Sequence, residues 1–208
     1  METGRTANGQ PCKTRLPDDL QKRTDELMRK VAIAHEAMQI PEENRTPWNV
    51  LCACAALNAQ ARGPIAERLL CEALQGTPVP ASQNRGDVIS RGRHIEIKSS
   101  FSSQTLNLRQ IRIWQDVDYA VIHAPVENGP EHCRAYRLTH AEMETEINKI
   151  GGFTHGTKEV AARNTHPEHS ITLSRKTENP HFLRWERQYR DRELEAWLFG
   201  THGDPEPD

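Results

Sequence analysis

The chain contains no run of 18 apolar residues, so no segment reads as a membrane-spanning helix. Its first residues, Met1 to Asn8, lack the apolar stretch of a secretory leader, and a cytoplasmic protein without a membrane partner is expected. No glycine-rich phosphate loop ending in Gly-Lys-Ser/Thr occurs, which argues against a nucleotide cofactor or a motor function. Zinc spacing is missing too. The five cysteines (Cys12, Cys52, Cys54, Cys71 and Cys133) make an odd count, Cys52-Ala-Cys54 is too tight for a knuckle, and no second pair follows. Cys52 and Cys71 fall in apolar helical stretches and read as small buried hydrophobes. Neither an internal repeat nor a low-complexity tract is seen.

The 208 residues, 36% apolar and 27% charged, suit one domain with a strongly polar surface. A net charge of −2 hides a segregation along the chain. Residues 85–115 carry six Lys/Arg against two acids, 116–150 three against seven, and 151–192 eight against five. Two basic blocks around an acidic one suggest a local positive surface, and a solvated face is the plainer alternative.

Residues 1–16 are expected to be a disordered polar tail, 17–200 a single domain, and 201–208 a second tail. Periodicity predicts a helix from Pro17 to about Gln39, and a buried helix from Trp48 to about Gln60 opened by Thr46-Pro47. Arg62-Gly63-Pro64 is expected to break the chain, with a third helix over Ile65–Leu74 and a loop over Gly76–Arg85. Val88–Ser90, Ile95–Phe101, Val117–His123, Arg134–Leu138 and Ile171–Ser174 read as strands, and Thr105–Trp114 is ambiguous. Thr139 caps a helix over His140–Lys149 that Gly151-Gly152 ends, and Phe182–Phe199 reads as one helix with Arg184, Arg187, Arg190 and Arg192 on its polar side. The order predicts an α/β fold, a mixed β-sheet flanked by α-helices.

The chemistry gathers at Gly86-Asp87-Val-Ile-Ser-Arg91-Gly92-Arg93-His94-Ile95-Glu96-Ile97-Lys98. With Arg91-Gly92 as a two-residue turn, Ser90 faces Arg93, Ile89 faces His94 and Asp87 faces Glu96. Opposed Cβ atoms lie roughly 4.5–5.5 Å apart, so both carboxylates can serve one divalent cation. Lys98 emerges on the same face, and Ile95 and Ile97 point the other way. Asp87, Glu96 and the Ile97 carbonyl form an all-oxygen set suited to Mg²⁺ or Mn²⁺, with Lys98 placed to orient a water or neutralise charge at phosphorus. A plain solvated hairpin face explains the same residues taken alone.

Three neighbours add to the pattern. Glu67 is expected on the first turn of a helix, either completing a metal shell or meeting the helix dipole. Asn107, Arg109, Gln110 and Arg112 suit a phosphate backbone. The stretch Thr154-His155-Gly156-Thr157-Lys158, with Arg163 and Lys176 beyond it, offers donors that can reach DNA in a groove or simply cover a structural turn.

Asp87, Glu96-Ile97-Lys98 and the preceding Glu67 resemble the PD-(D/E)xK nuclease superfamily, and more narrowly its type II restriction endonucleases. Asn107–Arg112 followed by Trp114-Gln115-Asp116-Val-Asp118-Tyr119 is similar to the segment after the motif in such enzymes. The resemblance spans about 62–125, with an echo at Gly152–Lys158, and departs from the family where Gly86 stands in place of proline. It implies a restriction-endonuclease-like core with Asp87 and Glu96 on the cation, Lys98 serving the water, Glu67 auxiliary and Gln110 a backbone or metal-shell contact. The implied activity is Mg²⁺-dependent cleavage of double-stranded DNA at a specific sequence by a homodimer. Its rivals are a mismatch nickase or junction resolvase of the same superfamily, and a non-catalytic DNA-binding phage-defence protein.

Overall fold

Among the described residues eight strands fall into two sheets whose apolar faces meet the helices in two cores. The computed structural model describes residues 46–80, 83, 85–154, 166–176 and 179–200. The expected helix from Pro17, both tails and Cys12 lie outside the described residues.

Helix α1 (Pro47–Ala55) starts where the Thr46 hydroxyl accepts the Asn49 N–H at 3.2 Å, with Pro47 in its first turn. It stops five residues short of the expected end, and only Leu51 and Cys54 are fully buried. Helix α2 (Ala59–Ala73) begins at Asn58, whose side chain accepts the Ala61 N–H at 2.9 Å. The expected break at Gly63-Pro64 is therefore incorrect, since α2 runs straight through Pro64. Proline in the second turn removes one intrahelical hydrogen bond without ending the helix, because the Asn58 cap and the packing of Ala66, Leu69 and Leu70 hold both sides of it.

Strands β1 (Thr77–Pro78), β2 (Val88–Ser90), β3 (Arg93–Ser100), β5 (Asp118–His123) and β6 (Arg134–Leu138) form a five-stranded sheet in the order β1-β2-β3-β5-β6. The β3–β5 pair is parallel and the other three pairs are antiparallel, so the sheet is mixed, as the sequence predicts. β1 falls inside the stretch expected to be a loop. β4 (Thr105–Ile111), β7 (Gly152–Phe153) and β8 (His169–Ser174) form a separate antiparallel sheet, β4-β8-β7, which resolves the ambiguous Thr105–Trp114 segment as strand.

Helix α3 (His140–Ile150) carries a reciprocal cap, in which the Thr139 hydroxyl accepts the Glu142 N–H and the Glu142 carboxylate accepts the Thr139 N–H. The expected single helix over Phe182–Phe199 is two, α4 (Pro180–Tyr189) and α5 (Arg192–Phe199). Between them Arg190 is extended and bridges Tyr136 at the sheet edge, the Asp191 N–H donates to the Ala135 carbonyl at 2.9 Å, and Asp191 caps α5. Pairing with β6 outcompetes helix continuation at that point.

Alternation along β5 sends Ala120 and Ile122 to one core and Tyr119 and Val121 to the other. The first core packs the five-stranded sheet against α1, α2 and α5 through Leu51, Leu70, Ile95, Ile97 and Leu198. The second holds the small sheet with α3 and α4 through Leu106, Leu108, Met143, Ile171 and Trp185. Among the described residues no helix is long and apolar enough to cross a membrane.

Part of the charge segregation seen along the chain is cancelled in space. Arg93 donates to Asp118 at 2.9 Å and reaches Asp116 at 3.3 Å, and Arg85 pairs with Asp116 at 3.0 Å. Arg134 pairs with Glu186 and Arg190 with Glu195, while Arg184 meets the wholly buried Glu146. Arg184 and Arg190 thus hold the fold together rather than forming the free polar face expected of one helix.

Candidate active site

The β2–β3 hairpin has the register its sequence predicts: Ser90 opposite Arg93, Ile89 opposite His94, Val88 opposite Ile95. Arg91 and Gly92 both take positive φ, 51° and 77°, as a two-residue hairpin turn of the twisted-strand type requires. The pairing ends at Val88, and the expected facing of Asp87 and Glu96 does not form: the Asp87 N–H donates to the Ile95 carbonyl at 2.8 Å, so Asp87 and Val88 together oppose Ile95. Gly86 makes this possible. Its φ is +67°, and a Cβ there would lie 3.0 Å from the Ile95 oxygen. Proline, whose φ is held at about −65°, is excluded from this position.

The bulge turns Asp87 onto the edge of β3. Its carboxylate accepts the Ile97 N–H at 2.7 Å, an amide left without a strand partner where β2 stops. Glu96 is 6% exposed on the face opposite Ile95 and Ile97, and the Lys98 ammonium donates to its carboxylate at 2.7 Å. The same ammonium donates to the Gln110 carbonyl at 3.0 Å. Glu67 enters from α2. It is the ninth residue of that helix rather than part of its first turn, so the alternative reading of Glu67 as a partner of the helix dipole falls away.

These groups share a cleft of about 490 Å³ lined by Glu67, Asp87, Glu96, Ile97, Lys98 and Ser99 on one side. Asn107, Leu108, Arg109 and Gln110 of the small sheet, with Arg112 just past its strand, line the other. Burial and the neighbouring Glu96 push the Asp87 carboxyl up to about 6, with Glu67 adding to the rise and the Ile97 N–H and Lys98 opposing it. Burial, then Glu96, likewise raises Glu67, against the pull of Lys98. Three crowded carboxylates facing one ammonium leave an excess of negative charge that a divalent cation would relieve.

The donor chemistry fits magnesium, being oxygen only and partly open to water. Among the described residues no three His, Cys, Asp or Glu side chains form a ligand set by themselves. A cation at this place would draw on Asp87, Glu96 and the Ile97 carbonyl, the combination read from the sequence.

The small sheet presents its side of the cleft through a bulge. Leu108 pairs with Ile171 and Ile111 with His169, so Arg109 and Gln110 lie opposite Ser170 alone, and both are exposed. Gln110 takes φ 54°. Its N–H donates to the Thr154 hydroxyl at 2.9 Å, and that hydroxyl donates to the His169 carbonyl at 2.6 Å. Arg112 also lines the cleft, though its guanidinium is held by Glu168 at 3.0 Å. Lys176 is exposed beyond β8, at the end that pairs with Thr105, away from Gln110. His155, Thr157, Lys158 and Arg163 lie outside the described residues.

Sequence reasoning missed the Gln110 carbonyl as the second partner of Lys98. One signal was present. Leu106, Leu108 and Ile111 shift from a spacing of two to three, which marks an inserted residue in the strand. No protein-family profile and no curated protein sequence matches this chain.

Proposed function

We propose that this protein is a Mg²⁺-dependent endodeoxyribonuclease of the type II restriction kind, hydrolysing phosphodiester bonds at a specific double-stranded DNA sequence. The observation that supports the reading best is the convergence in one cleft of Asp87, Glu96 and Lys98 with Asn107 and Arg109 on the facing sheet. Asp87, Glu96 and the Ile97 carbonyl would hold magnesium, or manganese in its place, with Glu67 auxiliary. Bound there, the ion would supply an acidified water and charge neutralisation at the scissile phosphate.

The chain's own groups divide the remaining work. Lys98, fixed by two acceptors, keeps an ammonium beside the carboxylates, where it orients the attacking water and stabilises the charge that develops on the phosphorane oxygens. Arg109 and Asn107 grip the backbone on either side of the bond being cut, and Arg112 braced by Glu168 stiffens that wall. Cutting both strands of a palindromic site calls for a twofold pair of chains, so a homodimer belongs to the same proposal.

Digestion of a sequenced phage genome with purified protein and Mg²⁺ tests the reading. Discrete, reproducible fragments are expected. Cutting confined to mismatched or branched DNA would replace the proposal with a repair or recombination nuclease. Binding without any cutting would make the protein a non-catalytic DNA binder.

A further inference from the structure

The catalytic lysine proposed above is held from two sides, and only one of its holders belongs to the motif. Glu96 is two residues away on the same strand. The other holder is the Gln110 carbonyl, on a different sheet, and it reaches Lys98 because Gln110 adopts a left-handed backbone. For a non-glycine residue that conformation is unfavourable, and it persists where the surroundings enforce it. The enforcing contact is visible. The Gln110 N–H, turned out of the β4–β8 ladder by the bulge, donates to the Thr154 hydroxyl at 2.9 Å.

Thr154 has a hydroxyl to spare for this. The Thr154 backbone is already engaged, since its N–H donates to the Glu168 carbonyl at 2.9 Å. The hydroxyl hydrogen is committed to His169 O at 2.6 Å, which leaves the oxygen's lone pairs aimed at Gln110. An acceptor of fixed orientation holds the plane of the Arg109–Gln110 peptide and with it the left-handed φ of Gln110, from which the carbonyl in the next peptide plane reaches Lys98.

We propose that Thr154 is a positioning residue for Lys98, acting through the Gln110 peptide to hold the lysine ammonium in the cleft. Its hydroxyl is taken up by the Gln110 N–H and the His169 carbonyl, so the role assigned to it is placement of Lys98 and not reaction. The inference rests on the nuclease reading for the meaning of Lys98, and its test is chosen to stand apart from that reading.

The test compares wild type, Thr154→Val, Thr154→Ala and Thr154→Ser as full-length chains. The first measurement is the rate at which Lys98 is acetylated by a water-soluble acylating reagent, mapped by peptide mass spectrometry, with half-exposed Lys149 as the internal reference. Loss of one holding hydrogen bond should speed Lys98 modification about fivefold in Thr154→Val and Thr154→Ala, leave Lys149 unchanged, and be reversed in Thr154→Ser. Amide hydrogen exchange at Gln110 should accelerate in the same two variants. The second measurement is DNA cleavage: kcat should fall about tenfold in the valine and alanine variants with KM nearly constant, and recover with serine.

Lys98 reactivity and Gln110 exchange unchanged from wild type in both folded variants would overturn the proposal. A serine variant that behaves like valine would do the same. If wild type cuts no DNA, the nuclease reading fails, and the reactivity and exchange measurements still decide the role of Thr154.

Discussion

Replacing Asp87 with asparagine is expected to stabilise the metal-free protein while abolishing cleavage. The Asp87 carboxyl is pushed from an ordinary 3.8 to about 6 by burial and by Glu96 and Glu67. Raised in this way, it holds its proton more tightly in the folded chain than in the unfolded one. Its ionisation therefore opposes folding fully above pH 6, and the opposition fades as pH falls towards 3.8. At about 1.36 kcal/mol per pH unit the whole gap corresponds to about 3 kcal/mol, and partial solvent contact at Asp87 reduces the expected gain to about 1–2 kcal/mol. Asparagine has the same shape, and its amide oxygen can still accept the Ile97 N–H now bonded at 2.7 Å. Urea unfolding in the presence of a chelator reads the effect. At pH 8 the variant should exceed wild type by the stated amount, and at about pH 4.5 the gain should shrink to about a third. Millimolar Mg²⁺ should raise the wild-type midpoint by mass action and leave the variant almost unmoved. An asparagine variant less stable than wild type at pH 8, or a gain equal at both pH values, would refute the account of the carboxylate cluster.

Two further substitutions probe other parts of the structure. Lys98→Ala should lower the cleavage rate by about 10²–10³ while DNA binding, measured by fluorescence anisotropy with Ca²⁺ in place of Mg²⁺, is retained. Glu146→Ala removes a fully buried carboxylate that accepts from the Tyr189 hydroxyl at 2.9 Å and pairs with Arg184, and it should cost about 3 kcal/mol in chemical denaturation without altering the residues of the cleft.

The parts of the fold that the sequence made legible are those governed by near neighbours. The Arg91-Gly92 turn sets the hairpin register, and the Thr139 cap marks the start of α3 to the residue. What escaped was decided by distant contacts. β4 finds its partner β8 more than fifty residues away, so nothing within Thr105–Trp114 could announce a second sheet. The split at Arg190 depends on Tyr136, and the basic blocks lose part of their field to acids elsewhere in the chain. Within the site, the alternation of Glu96 and Lys98 against Ile95 and Ile97 was readable, and the two bulges that bring in Asp87 and Gln110 were not. A bulge changes which way a side chain or carbonyl points without changing composition.

The corner that joins the two sheets carries a mechanical consequence. Between β3 and β4 the chain turns at Phe101–Gln104. There the Ser102 hydroxyl accepts from the Gln104 and Thr105 N–H groups at 3.3 Å, Ser100 donates to the Thr105 carbonyl, and buried His123 donates to the Ser102 carbonyl at 2.9 Å. One wall of the cleft rides on β3 and the other on β4, and the second core, which takes Leu106 and Leu108 from β4 and Tyr119 and Val121 from β5, packs the two sheets against each other. The gap between the walls is therefore an angle before it is a distance, fixed at one end by serine hydroxyls and along its length by that shared core. Widening it would break the packing of the second core, so the cleft meets a substrate with a set width.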